Sequence, residues 1–130
     1  MVAVDTNVII RLVTNDHAAQ VARATAIFRA SQVFIAKSVL LETEWVLRYT
    51  YELETDVILR ALRGILGLPN VSVEDPACIA TALELFAQGL EFADALHLAS
   101  SARADRFVTF DARFAKRATR MSPIPVVDAR

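Results

Sequence analysis

Asp5, Glu42, Asp94 and Asp111 are four acids in four separate segments, and they carry the most distinctive chemistry of this chain. Asp5 closes the apolar run Val2-Ala3-Val4, and Asp111 closes Phe107-Val108-Thr109-Phe110. A carboxylate at the C-terminal end of a strand, just ahead of a helix, stands where open α/β sheets place their ligands. If the two strands are parallel neighbours, both carboxylates leave the same sheet edge. Asp94 falls near a helix start, where the helix dipole favours negative charge. Glu42 falls inside a helix with Trp45, Val46 and Tyr49 on its side, an apolar setting for an acid. Each acid has a plainer reading as a cap or a surface charge, but the set points to a bound ion. Converging carboxylates repel by roughly 3 kcal/mol per pair at ~5 Å, with an effective dielectric near 20. A divalent cation removes that cost. Oxygen donors alone suit Mg²⁺ or Mn²⁺, with waters completing the octahedron. Such an ion activates a water and clamps the oxygens of a phosphodiester.

Competing chemistries find little support. His17 and His97 are the only histidines, and no Ser/His or Cys/His arrangement is evident. With Gly64, Gly67 and Gly89 the only glycines, there is no glycine-rich phosphate loop. The lone cysteine, Cys78, lies in Ala77-Cys78-Ile79-Ala80 and reads as a small buried hydrophobe. It excludes an intrachain disulfide and a cysteine-rich zinc site. The longest uncharged run, Gly64 to Val73, is too short to span a membrane. The N-terminus lacks a basic n-region, and Asp5 interrupts its apolar stretch, so no secretory signal is expected and a cytoplasmic protein is.

The elements that must position the acids alternate between strand and helix. A buried strand at Val2–Val4 leads into a helix with apolar spacing at Val8, Ile9, Leu12 and Val13. Asn15-Asp16 offers an N-cap for a second helix to about Arg29, with Val21, Ala24, Thr25 and Phe28 inward. Strand-like Val33–Ala36 precedes a helix from about Ser38 to Tyr51, and Thr55-Asp56 caps another to about Leu66. Val71–Val73 is a brief strand, and Asp75-Pro76 opens a helix ending near Gln88-Gly89. The Asp94 helix is expected to reach about Ala104 and the helix after Asp111 about Arg120, with Val126-Val127 as an edge strand. This alternation predicts an α/β fold, with a central, mostly parallel sheet and helices on both faces. At 130 residues one domain over 1–130 is expected.

Asp5-Thr6-Asn7, Val39-Leu40-Leu41-Glu42, Phe92-Ala93-Asp94-Ala95-Leu96-His97-Leu98-Ala99 and Val108-Thr109-Phe110-Asp111 resemble, in order, the motifs of PIN-domain ribonucleases. The likeness is closest to the VapC toxins of bacterial toxin–antitoxin pairs, and it spans essentially the whole chain. It implies an endoribonuclease dependent on Mg²⁺ or Mn²⁺. Asp5 and Asp94 would be the firmest metal ligands, with Asp111 completing the site directly or through a water. Glu42 matches the family's helical glutamate by its spacing to Leu47. Glu44 turns roughly 200° away on a helix, so both cannot serve. Thr6, Asn7 and Thr109 would orient the carboxylates. His97 is better read as a structural histidine than as a base, because a metal-activated water needs none.

Arg113, Lys116, Arg117 and Arg120 follow i, i+3, i+4, i+7 and form one basic helix face just after Asp111. That face is either solvated or a contact for the RNA backbone. Net charge, −1, argues neither for nor against nucleic acid. The phenylalanines do not single out a base-stacking site, since all would serve as core. An apolar fraction of 55% suggests covered surface, notably on the helices Leu40–Tyr51 and Val57–Leu66. The resemblance gives that surface two uses, a homodimer and a groove for a small antitoxin, and suggests structured RNA such as transfer RNA as substrate. Two rivals remain. One is a phosphatase with an aspartate nucleophile, although Asn7 stands where a second aspartate is wanted. The other is a PIN-like binding module without metal.

Overall fold

Short runs of β-branched residues make the strands, and polar residues at their ends start the helices. The computed structural model describes residues 1–130, which divide into two compact units, Met1–Pro76 and Ala77–Arg130. The first unit contains β1 (Val2–Ala3), α1 (Thr6–Thr14), α2 (Ala18–Ala30), β2 (Val33–Ile35), α3 (Lys37–Tyr49), α4 (Thr55–Leu66) and β3 (Val71–Val73). The second is made of α5 (Pro76–Ala87), α6 (Phe92–Ser100), β4 (Phe107–Thr109), α7 (Ala112–Ala118) and β5 (Val126–Asp128). Every strand pairing is parallel: β1–β2–β3 form one sheet and β4–β5 another. The α/β class with parallel strands is therefore as expected.

In the first unit β2 is the central strand, and its Val33 and Ile35 have no exposed surface. α1 packs against α2 and α3, and Ile9, Ile10, Phe28, Leu40 and Leu47 are buried on these helices. Each such side chain contributes about 1.5–3 kcal/mol by leaving water. Asn70, just before β3, donates from Nδ2 to the carbonyls of Phe28 and Ser31, closing the C-terminal end of α2. In the second unit Phe86 and Phe92 meet edge-on, with ring centroids 5.3 Å apart, and join α5 to α6. Phe107 of β4 and Phe114 of α7 pair at 5.9 Å in the same manner. Cys78 is buried, its Sγ 3.3 Å from Ser100 Oγ, as a small core residue should be.

Several local expectations are corrected. The run Val2–Val4 does not form a buried strand: Val2 and Ala3 are exposed and only Val4 is buried. β1 is the edge strand of its sheet, hydrogen-bonded on one side only, so apolar character did not imply enclosure. The strands ending in Asp5 and Asp111 belong to different sheets, so strand pairing does not itself juxtapose the two acids. Asn15 does not cap α2; it ends α1 in the left-handed conformation, φ 57°, which asparagine tolerates. His17 caps α2 instead, its Nδ1 accepting from Gln20 N. Asp16 accepts from Tyr51, Thr14 and Arg11, and the Tyr51 hydroxyl leads in holding its pKa below the usual value of 3.8. α6 stops at Ser100, short of Ala104, where Ser101 Oγ bonds the His97 carbonyl. On α4, Ile58, Leu59, Leu62 and Ile65 are buried, while Val57 is exposed.

Candidate functional site

The first unit joins two of the predicted acids through one threonine. Asp5 is the N-cap of α1, and its Oδ1 accepts from Thr6 N at 2.8 Å. The cap fixes the carboxylate at the strand-to-helix junction. Thr6 is buried, and its hydroxyl donates to Glu42 Oε1 on α3. Thr6 thus holds Asp5 through its backbone and Glu42 through its side chain. Glu42 itself is exposed rather than set among apolar groups, because Trp45 and Tyr49 point to solvent.

Glu44, two residues on, takes the opposite side. It is 5% exposed, and Arg48 Nε donates to its Oε2 at 2.7 Å. The choice between the two glutamates is therefore physical: Glu44 is committed to an ion pair in the fold, and Glu42 is the accessible one.

The second unit gathers the other two acids around one cavity. Asp94, in the first turn of α6, and Asp111, the N-cap of α7, line a space of about 310 Å³ with Glu91, Arg113, Arg117, Leu90 and Phe114. Asp111 Oδ1 accepts from Phe114 N at 3.0 Å, and Asp111 N donates to Thr109 Oγ1 at 3.0 Å. Thr109 thus holds the Asp111 backbone rather than its carboxylate. Partial burial, and then the charge of Glu91, push the Asp94 carboxyl above its ordinary value of 3.8; Asp111 adds to this and His97 opposes it. Three carboxylates, Glu91, Asp94 and Asp111, therefore share this cavity with two arginines, Arg113 and Arg117.

The basic face is split by the fold. α7 ends at Ala118, so Arg120 lies beyond the helix. Arg113 and Arg117, one turn apart, face the cavity, whereas Lys116 does not line it. Arg117 Nη2 donates to the Gly89 carbonyl. Gly89 has φ 110°, a backbone region that favours glycine, and a Cβ there would stand 3.0 Å from Arg117 Nη2. This tether between the α5–α6 turn and a cationic side chain was not visible in the sequence. Glu91 was also missed, although its place three residues before Asp94 was a signal. Asn7 is exposed on a groove with Arg11, Gln20 and Arg23, and no carboxylate lines that groove. His97 is exposed at the end of α6.

No group of three or more His, Cys, Asp or Glu side chains stands close enough to hold a metal ion. Mg²⁺, however, is commonly bound by one or two carboxylates and several waters. Asp94 and Asp111 on one cavity, with Asp94 resisting ionisation beside its acidic neighbours, fit that pattern.

The chain thus combines a parallel α/β architecture with acids just beyond the ends of β1 and β4. The chain belongs to the PIN domain family, whose model matches residues 2–119. PIN domains are generally nucleases that act on nucleic acids, typically with divalent metal ions. No curated protein and no solved structure matches the chain. No helix is long and apolar enough to cross a membrane.

Proposed function

We propose that this protein is an endoribonuclease dependent on Mg²⁺ or Mn²⁺, and the toxin of a VapC-type toxin–antitoxin pair. The observation that carries the nuclease reading is the cavity of the second unit, where Asp94 and Asp111 stand together and burial raises the Asp94 pKa above its usual value. These two side chains would hold the ion, with Asp5 and Glu42 in the roles that the family resemblance gives them. An ion held there would supply charge neutralisation and lower the pKa of a water. The chain's own groups do the rest. The Phe114 N–H and Thr109 hydroxyl fix Asp111, Thr6 fixes Glu42, and Arg113 and Arg117 present cations to phosphate oxygens.

The attacking group comes from water, since no pair of histidines is available to activate the ribose 2′-hydroxyl. The products carry 5′-phosphate and 3′-hydroxyl ends. Sequencing of RNA 5′ ends after brief induction in cells, with end-group analysis of purified reactions, tests this. Ligatable 5′-phosphates at discrete sites are expected; 2′,3′-cyclic phosphates as the main product would overturn it.

Substitution of Thr6 by valine tests the link between the acids. Removing the hydroxyl from an otherwise isosteric side chain should lower kcat by about 10–100-fold, the usual range for groups that orient metal-site ligands. Stability should fall by only about 1 kcal/mol. Thr6→Ser should restore most of the rate, and an unchanged kcat in Thr6→Val would remove the link from the mechanism.

The remaining parts of the proposal are a single PIN domain over 1–130, a cytoplasmic location, a homodimer, structured RNA such as transfer RNA as substrate, and an antitoxin encoded by an adjacent small gene. Support for the antitoxin is the cavity's acidity, which an inserted Arg or Lys would neutralise. Co-expression with the adjacent gene should relieve toxicity, and light scattering should show a dimer at tens of micromolar (roughly where weak standard interfaces associate).

A further inference from the structure

α3 has an unusual outer face. Its aliphatic residues Leu40 and Leu47 are buried, while its largest aromatic residues are not: Trp45 is 56% exposed and Tyr49 60%. Their ring centroids lie 5.2 Å apart with the planes inclined at 42°, so the two rings support one another at the surface. Ser38, Glu42, Trp45 and Tyr49 follow i, i+4, i+7 and i+11, are all exposed, and so share one stripe of the helix. With a rise of about 1.5 Å per residue, Trp45 lies about 4.5 Å and Tyr49 about 10.5 Å along the axis from Glu42. Those offsets correspond to roughly one and three base steps of ~3.4 Å.

We infer that Trp45 and Tyr49 form a stacking platform for unpaired nucleobases of the RNA strand, on the same helix stripe as Glu42. The inference rests on the nuclease reading, since that reading makes Glu42 a site residue and RNA the ligand. Two features favour bases over a protein partner. The stripe presents aromatic rings between polar residues and no exposed aliphatic side chain, whereas a protein-docking face mixes aromatic with aliphatic anchors. The same pairing of acid and exposed ring recurs in the second unit, where Phe110, 75% exposed, immediately precedes Asp111. Aromatic platforms of this kind bind single strands with little sequence preference, because every base has a π-face.

Trp45 is the only tryptophan, which supplies a direct reading. A short single-stranded oligoribonucleotide titrated into the Asp94→Asn protein in EDTA should quench the indole fluorescence saturably, without cleavage. Tyr49→Ala should weaken that binding roughly 10-fold, and Trp45→Ala should weaken it similarly by fluorescence anisotropy of labelled RNA. A duplex of the same sequence should quench little. In the active protein, Trp45→Ala should raise KM by about 10-fold with kcat within about two-fold, and Trp45→Phe should recover most of the loss. Absence of quenching, or unchanged RNA affinity in both alanine variants, overturns the platform. So does a change from dimer to monomer in those variants with RNA affinity intact, which would make the stripe an interface between copies. Quenching without any metal-dependent cleavage leaves the platform standing and overturns the nuclease reading alone.

Discussion

Asp94→Asn is expected to lower RNA cleavage by about 10³-fold while making the metal-free protein more stable. The first effect follows from loss of a carboxylate that would both hold the ion and set its charge; removing one focused electrostatic group at a phosphoryl or acyl centre costs about 10²–10³ in rate, and a direct ligand belongs at the upper end. The second follows from Asp94's own environment. Burial, then Glu91 and Asp111, raise its folded-state pKa above the ordinary 3.8. The folded state therefore holds the proton more tightly than the unfolded one. Its contribution to stability is complete below the unfolded value and is lost as pH rises through the folded value. At neutral pH the ionised side chain opposes folding, and asparagine removes that opposition. Thermal melts in EDTA should show the variant above the wild type at pH 7, with the difference vanishing below about pH 4. Added Mg²⁺ should raise the wild-type melting temperature and leave the variant's unchanged. A variant that is inactive but less stable at pH 7 would mean that Asp94 is a structural residue.

Arg48→Met carries the largest expected cost to stability. Glu44 is almost completely buried, and its bond to Arg48 Nε is 2.7 Å long. Removing one partner of a buried pair leaves a desolvated charge and costs about 3–5 kcal/mol. Arg48 is itself partly exposed, which places the change near about 3 kcal/mol and a fall of roughly 10 °C in Tm. The double variant Glu44→Leu/Arg48→Met should recover most of that loss, because it removes both charges from the interior. RNA cleavage per folded molecule should change little in either variant, which separates Glu44 from the accessible Glu42. Urea denaturation gives the stability, and a shift below about 1 kcal/mol would show that the pair is solvated in solution.

The two glutamates show why some of the molecule was legible in the sequence and some was not. Asp5 and Asp111 are legible as junction residues, because an apolar run followed by Asp and a helix pattern marks a strand-to-helix turn, and both are N-caps. α3 reverses the usual code. It buries Glu44, made tolerable by Arg48 one turn later, and exposes Trp45 and Tyr49. Hydropathy spacing placed Trp45 and Tyr49 on Glu42's side correctly but assigned that side to the interior. β1 failed for a related reason: an edge strand can be apolar and exposed when only one neighbour pairs with it. Helix ends were misplaced where small polar residues competed. Asn15, Asp16 and His17 are all plausible caps, and only tertiary bonds from Arg11, Thr14 and Tyr51 commit Asp16 elsewhere. The Gly89–Arg117 tether spans 28 residues and depends on a left-handed glycine, so local pattern could not reveal it.

The metal requirement is tested most directly by cleavage of a 5′-labelled structured RNA by purified protein in excess EDTA, followed by restoration of the divalent ion. The expected result is no cleavage in EDTA, full recovery with Mg²⁺ or Mn²⁺, and recovery about 10³-fold lower in Asp94→Asn. Undiminished cleavage in EDTA by wild-type protein would contradict the metal-dependent mechanism.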